Sequence, residues 1–181
     1  MKEKSQNTIA IRTRKCIKIA LLELMKEKLF NEITIKEIVI QADISRQTFY
    51  RHFQSKEEVL EEYLEQLYEE YLKLINELEE KNLYHISLTY FTYWKEKSAL
   101  LEILKKSKCE QIGFESYYTF MNQALDITKS QLNIHNEVDI QYTKSFLIGG
   151  FFSIKNQWMK NDYLNSPEEL ATLVTNLLCK K

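Results

Sequence analysis

Between Ala42 and Val59 the chain reads ADISRQTFYRHFQSKEEV. Within it Arg46, Gln47, Thr48, Tyr50, Arg51 and His52 crowd guanidinium, amide, hydroxyl and imidazole groups into about two turns of a predicted helix. This is chemistry for the edges and phosphates of a nucleic acid. An arginine fork can donate to guanine O6 and N7, a glutamine amide can pair with adenine, and a threonine methyl can pack on thymine. Further along, the Tyr50 hydroxyl, the His52 imidazole and the Lys56 ammonium can hold phosphates. An ordinary solvated amphipathic helix is the plainer alternative, but a segment this short is unstable alone. It has to be docked, with Ile44, Phe49 and Phe53 as anchors, and docking leaves the polar cluster facing outward.

Catalytic and metal chemistry finds no comparable constellation. His52, His85 and His135 are scattered, with no Cys, Asp or Glu at ligand spacing. The chain has no Gly-rich phosphate loop, nucleophile elbow or HExxH pattern. Cys16, Cys109 and Cys179 are odd in number and far apart, and read as ordinary thiols of a cytosolic protein. Glu57, Glu58, Glu61, Glu62, Glu65, Glu69 and Glu70 follow one predicted helix and read as a solvated face. No catalytic residue, metal or cofactor is expected.

The elements that position the polar cluster are helices. With 181 residues, 44% hydrophobic, and only three Gly and one Pro, the chain is expected to be all-α with short connections. The periodicity predicts a first helix over 12–28, with Ile17, Ala20, Leu21, Leu24 and Met25 on one stripe. Arg12, Arg14, Lys15 and Lys18 stand at its start, the wrong sign for a helix N-terminus, which makes phosphate binding a candidate reason. Thr34 with Glu37 forms a capping-box pattern for a second helix over 35–42. Asp43 tolerates the left-handed turn that follows, and Ser45 caps a third helix over 46–52. Two short helices joined by such a turn have the form of a helix-turn-helix. A long helix is predicted from Ser55, then others near 84–96, 98–107, 111–131, 137–160 and 167–179, about nine in all.

Charge is unevenly spread. Residues 1–56 hold twelve Lys and Arg against six Asp and Glu, whereas residues 57–181 hold thirteen against twenty. A basic module on an acidic body suggests that one end meets a polyanion. The expected division is a DNA-binding domain over 1–54 and a larger helical domain over 55–181. No apolar run approaches the roughly 20 residues that span a bilayer, and a signal-peptide core is lacking. A cytoplasmic protein without a membrane partner is expected.

Thr34-x-x-x-Ile38…Ala42-x-Ile44-Ser45-x-x-Thr48-Phe49-Tyr50-x-His52-Phe53-x-x-Lys56-x-x-Val59-Leu60 resembles the signature of TetR (AcrR-type) transcriptional regulators. Gly149-Gly150-Phe151-Phe152…Trp158-Met159 followed by Ser166-Pro167-Glu168-Glu169 resembles one subset of the family's C-terminal domains. The resemblance implies a homodimer on a palindromic operator in double-stranded DNA, and usually repression relieved by a small molecule. It implies DNA contacts from Ser45, Arg46, Gln47, Thr48, Tyr50 and His52. Lys56 matches a phosphate-binding lysine, and Thr34 and Lys36 match phosphate or flanking-base contacts. Asp43 departs from the family's usual glycine.

Residues 84–160 are rich in aromatics with polar tips, which suit a lipophilic ligand, cationic ones included. With the resemblance, some of Tyr90, Trp94, Tyr117, Tyr118 and Met121 are expected to line an effector cavity. Control by a protein coactivator, or by no ligand, is an alternative, and a helical protein-interaction module is another from a different class. Phe146, Gly149, Gly150, Ser153 and Gln157, with Leu170, Leu173, Val174 and Leu177, mark the last two helices as the dimer contact.

Overall fold

No strand forms among the described residues, which in this computed structural model are 2–107, 109, 112–126 and 136–178, without the side chains of 2–7 and 178. The helices are α1 (Lys2–Glu27), α2 (Ile35–Gln41), α3 (Arg46–His52), α4 (Lys56–Glu77), α5 (Leu83–Glu96), α6 (Ser98–Lys106), α7 (Phe114–Asp126), α8 (Glu137–Lys160) and α9 (Pro167–Leu178). A 3-10 turn, Phe30–Glu32, joins α1 to α2. The all-helical class and the order of elements agree with the sequence reading. Parts of the segment predicted over 111–131, and Cys179 and His135, lie outside the described residues.

The main difference is the start of α1. It begins at Lys2, ten residues before the expected Arg12, because nothing between them breaks a helix: there is no Pro or Gly. Arg12, Arg14, Lys15 and Lys18 are therefore mid-helix residues, and the supposed conflict with the helix dipole disappears.

Local signals fix the helix-turn-helix. Thr34 Oγ1 accepts from Glu37 N at 3.3 Å, and Glu37 Oε2 accepts from Thr34 N at 2.9 Å, closing the capping box. A hydrogen bond from Lys28, then those from Thr34, hold the Glu37 carboxyl down to about 2. Asp43 takes the left-handed conformation, φ 52°, between α2 and α3. Ile44 N then donates to Val39 O at 3.0 Å, and Ser45 Oγ accepts from Thr48 N at 3.0 Å to cap α3.

The chain divides into two compact units, residues 1–66 with 103–114, and residues 67–102 with 115–181. In the first, Ile17, Leu21, Met25, Ile38, Phe49 and Phe53 are buried together with the apolar face of early α4. In the second, α5 packs along α9, and Tyr71, Tyr90, Phe91, Trp94 and Phe151 form an aromatic core. The helix α4 contributes residues to both units.

Replacing Thr34 by Ala removes the cap of α2 and is expected to lower stability by about 1 kcal/mol. Urea unfolding followed by helical circular dichroism measures this, with an unchanged m-value expected.

Candidate nucleic-acid interface

A helix of seven residues presents two different surfaces. Phe49 is fully buried and Phe53 nearly so, their rings 6.1 Å apart. Ile44, the third expected anchor, is only half-buried. On the other side Ser45, Arg46, Gln47, Tyr50 and Arg51 are exposed, and Thr48 and His52 are half-buried. Arg46 lies over the Tyr50 ring at 5.9 Å, one helical turn apart, so a cation and a hydroxyl stand side by side. Thr34 and Lys36 are exposed at the start of α2. Chemically this surface offers donors of several geometries and positive charge, with no acidic side chain in α3.

Lys56 is engaged within its own chain. Its Nζ donates to the carbonyls of Phe30 at 2.7 Å, Ile33 at 2.8 Å and Asn31 at 3.2 Å, and lies 4.8 Å from the Phe30 ring centroid. An ammonium has three donors, and here all three are spent on the turn leading into α2. In this geometry Lys56 fastens α4 to the turn that leads into the helix-turn-helix. The capping residues of α4 behave as expected, with Glu58 N donating to Ser55 Oγ at 3.1 Å.

Two further basic residues turn inward. Arg14 donates from Nε to Glu62 Oε1 at 3.1 Å and from Nη2 to Glu62 Oε2, and from Nη1 to the His52 carbonyl at 2.7 Å. Its guanidinium lies 4.2 Å from the Phe53 ring centroid. Lys18, almost fully buried, donates to Glu62 Oε1 at 2.9 Å. Burial, and then the Arg14 charge, lower its pKa from the ordinary lysine value. Phosphate binding is thus not what places Arg14 and Lys18, and Glu62 is no solvated acid. The signal was present: Glu62 follows the buried Val59 by three residues, so it flanks the packed face, while Glu61, Glu65 and Glu69 fall on the exposed side. Burial lowers the His52 pKa as well, followed by the charges of Arg14 and Arg51.

The residues expected around an effector fall into two groups. Tyr90, Trp94, Tyr117 and Met121 are core residues, at most 1% exposed. The Tyr117 hydroxyl donates to Ile148 O at 3.2 Å and lies 3.3 Å from the Tyr90 hydroxyl, which is therefore the donor between them. Tyr118 is half-buried, its hydroxyl 2.7 Å from Ser145 Oγ. A residue the sequence reading missed joins the core. Lys155, 6% exposed, places its ammonium 4.8 Å from the Trp94 ring, 5.0 Å from Phe152 and 5.6 Å from Tyr117.

Among the described residues no group of His, Cys, Asp and Glu is arranged to hold a metal, and no helix is long and apolar enough to cross a membrane. The profile of bacterial regulatory proteins of the tetR family matches residues 20–63, covering the helix-turn-helix, and that of a transcriptional regulator C-terminal region matches residues 81–180. The chain belongs to the TetR family of transcriptional regulators. Among characterised proteins, this TetR-family regulator is 41% identical over 51 residues to the HTH-type dhaKLM operon transcriptional activator DhaS of Lactococcus lactis subsp. lactis (strain IL1403). That match spans 28% of this chain and 27% of the relative, about a quarter of its length. Two solved structures share the fold. The dihydroxyacetone kinase operon activator DhaS aligns with TM-score 0.61 at 22% identity, over 93% of this chain and 94% of the other. The fatty acid degradation regulator FadR from Bacillus halodurans aligns with TM-score 0.62 at 17% identity, over 92% and 94%.

Two measurements follow from this geometry. Lys56→Met strands carbonyls that now share an ammonium, and is expected to cost about 1–3 kcal/mol in urea unfolding. Because the folded His52 has the lower pKa, the unfolded chain binds its proton first as pH falls. Its share of stability is complete above the unfolded pKa and is lost as pH drops through the folded one. Thermal midpoints are expected to fall between about pH 7.5 and 5.5, and less steeply for His52→Gln.

Proposed function

We propose that the chain works as a homodimer on a palindromic operator, with one α3 per subunit entering successive major grooves about one helical turn, ~34–36 Å, apart. The observation that carries this is the division of α3: Phe49 is wholly buried while Arg46, Gln47 and Tyr50 face solvent. In this reading Arg46, Gln47 and Thr48 meet base edges. Ser45, Tyr50 and His52, with Thr34 and Lys36 from α2, meet phosphates or flanking bases. Lys56 supports them from behind.

Dimerisation is assigned to α8 and α9. Phe146 is 70% exposed and Leu177 68%, and they edge an apolar groove of about 200 Å³ lined also by Gly150, Phe151, Ile154 and Val174. A Cβ added at Gly149 or Gly150 would meet nothing within its own subunit, so the helix face is open to a second helix. An exposed apolar surface of this kind suits a second copy. The stripe on α9 divides accordingly, with Leu170 and Val174 buried and Leu173 and Leu177 exposed.

The effector is assigned to the second unit, whose aromatic core suits a lipophilic molecule. Binding there would move α4 and change the separation of the recognition helices, releasing the operator and relieving repression. A second reading, activation, is favoured by the activator DhaS being 41% identical over 51 residues. Deleting the gene distinguishes them, since repression predicts a rise in transcription of the regulated neighbours and activation a fall.

Binding is tested by fluorescence anisotropy on DNA upstream of the chain's own gene and its neighbours. Arg46→Ala and Gln47→Ala are expected to relax base preference, each by about 1–3 kcal/mol at the contacted position. Tyr50→Phe is expected to weaken binding to all sequences alike. Uniform losses from all three variants would overturn this sorting. No binding at low salt would favour a protein-interaction module.

A further inference from the structure

The opening of α4 is tied to both helices of the helix-turn-helix, through two different residues. Lys56 holds the carbonyls of Phe30, Asn31 and Ile33, which lead into α2. Six residues later Glu62 holds Arg14 with both carboxylate oxygens and Lys18 with one of them. Arg14 carries the tie onward, because its remaining donor Nη1 bonds the carbonyl of His52, the last residue of α3.

We propose that Glu62 is a positioning residue for operator recognition: it fixes Arg14 in the orientation that anchors the C-terminal end of α3. The proposal rests on α3 being the DNA-reading helix. The last carbonyls of a helix have no partners within it, and a cation there is favoured by the helix dipole. In α3, seven residues long, one such bond is a large share of what holds its end. A guanidinium without Glu62 would have only the Phe53 ring and one carbonyl to orient it, and its charged fork would turn to water. The bidentate pair removes that freedom. Glu62 is placed for this work and for little else, since its side chain is 21% exposed and both its oxygens face cations of α1.

Fixing the end of α3 matters because its contacts are spread along its whole length. Arg46 and Gln47 stand at the start, and Tyr50 and His52 near the end. A small tilt about Phe49 moves the two groups in opposite directions, and base-edge hydrogen bonds weaken steeply with misalignment. Phosphate contacts from long side chains tolerate such a tilt better. Loss of Glu62 is therefore expected to lower operator affinity more than affinity for unrelated DNA.

The test compares full-length wild type, Glu62→Gln and Arg14→Gln by fluorescence anisotropy. Each is titrated with DNA upstream of its own gene and with a scrambled duplex, over a range of salt, beside thermal melts of the protein alone. Wild type is expected to prefer the upstream DNA. Each variant is expected to lose about tenfold or more on it and little on the scrambled duplex, with an unchanged salt slope. The double variant is expected to match the singles, because both act through one node. Wild-type affinity retained by Glu62→Gln would overturn the proposal. So would a salt slope reduced by about one phosphate contact in Arg14→Gln, since Arg14 would then touch DNA itself. No preference for the upstream DNA by wild type would instead remove the recognition reading, and the proposal with it. Should Glu62→Gln lose its cooperative melt, Arg14→Lys carries the test. It keeps the charge and loses the fork, so it is expected to lose preference for the upstream DNA while still melting cooperatively; full preference would overturn the proposal.

Discussion

A helix of seven residues cannot persist in water on its own hydrogen bonds, so α3 depends on the burial of Phe49. With no exposed ring surface left, that side chain fixes which face of the helix points inward. Everything on the opposite face follows from helical geometry, because Arg46, Gln47 and Tyr50 occupy positions that cannot also face the core. The exposed polar surface of α3 is thus a consequence of one apolar anchor. Ser45 and Asp43 act earlier in the same chain of causes, the first by ending the turn with a cap, the second by accepting a backbone conformation that costs most residues dearly.

The basic surplus of the first 56 residues is not one population of charges. Arg46, Lys36 and Arg51 remain exposed on or beside the helix-turn-helix, while Arg14, Lys18 and Lys56 are spent within the unit. Internal use has a physical rationale. A short helix-turn-helix offers little apolar area, and charge-assisted bonds to Glu62 and to backbone carbonyls add directional ties that packing alone does not supply. Glu62 offsets one of the two charges on Arg14 and Lys18, while Lys56, bonded only to neutral carbonyls, keeps its own, so most of the basic surplus of this unit persists as a long-range field.

The sequence made local features legible and left most longer-range ones hidden. The capping box at Thr34, the left-handed Asp43 and the cap at Ser45 are written in adjacent residues, and all were readable. The roles of Lys56 and Glu62 depend on partners 23 to 48 residues away, which periodicity cannot identify. The start of α1 failed for another reason. Helix-permissive residues from Lys2 onward carry no boundary mark, and the apolar stripe that guided the assignment begins only later. The aromatic cluster was visible as composition, but its packing was not. Whether Tyr90 and Tyr117 line a space or close on one another depends on side chains contributed by several helices.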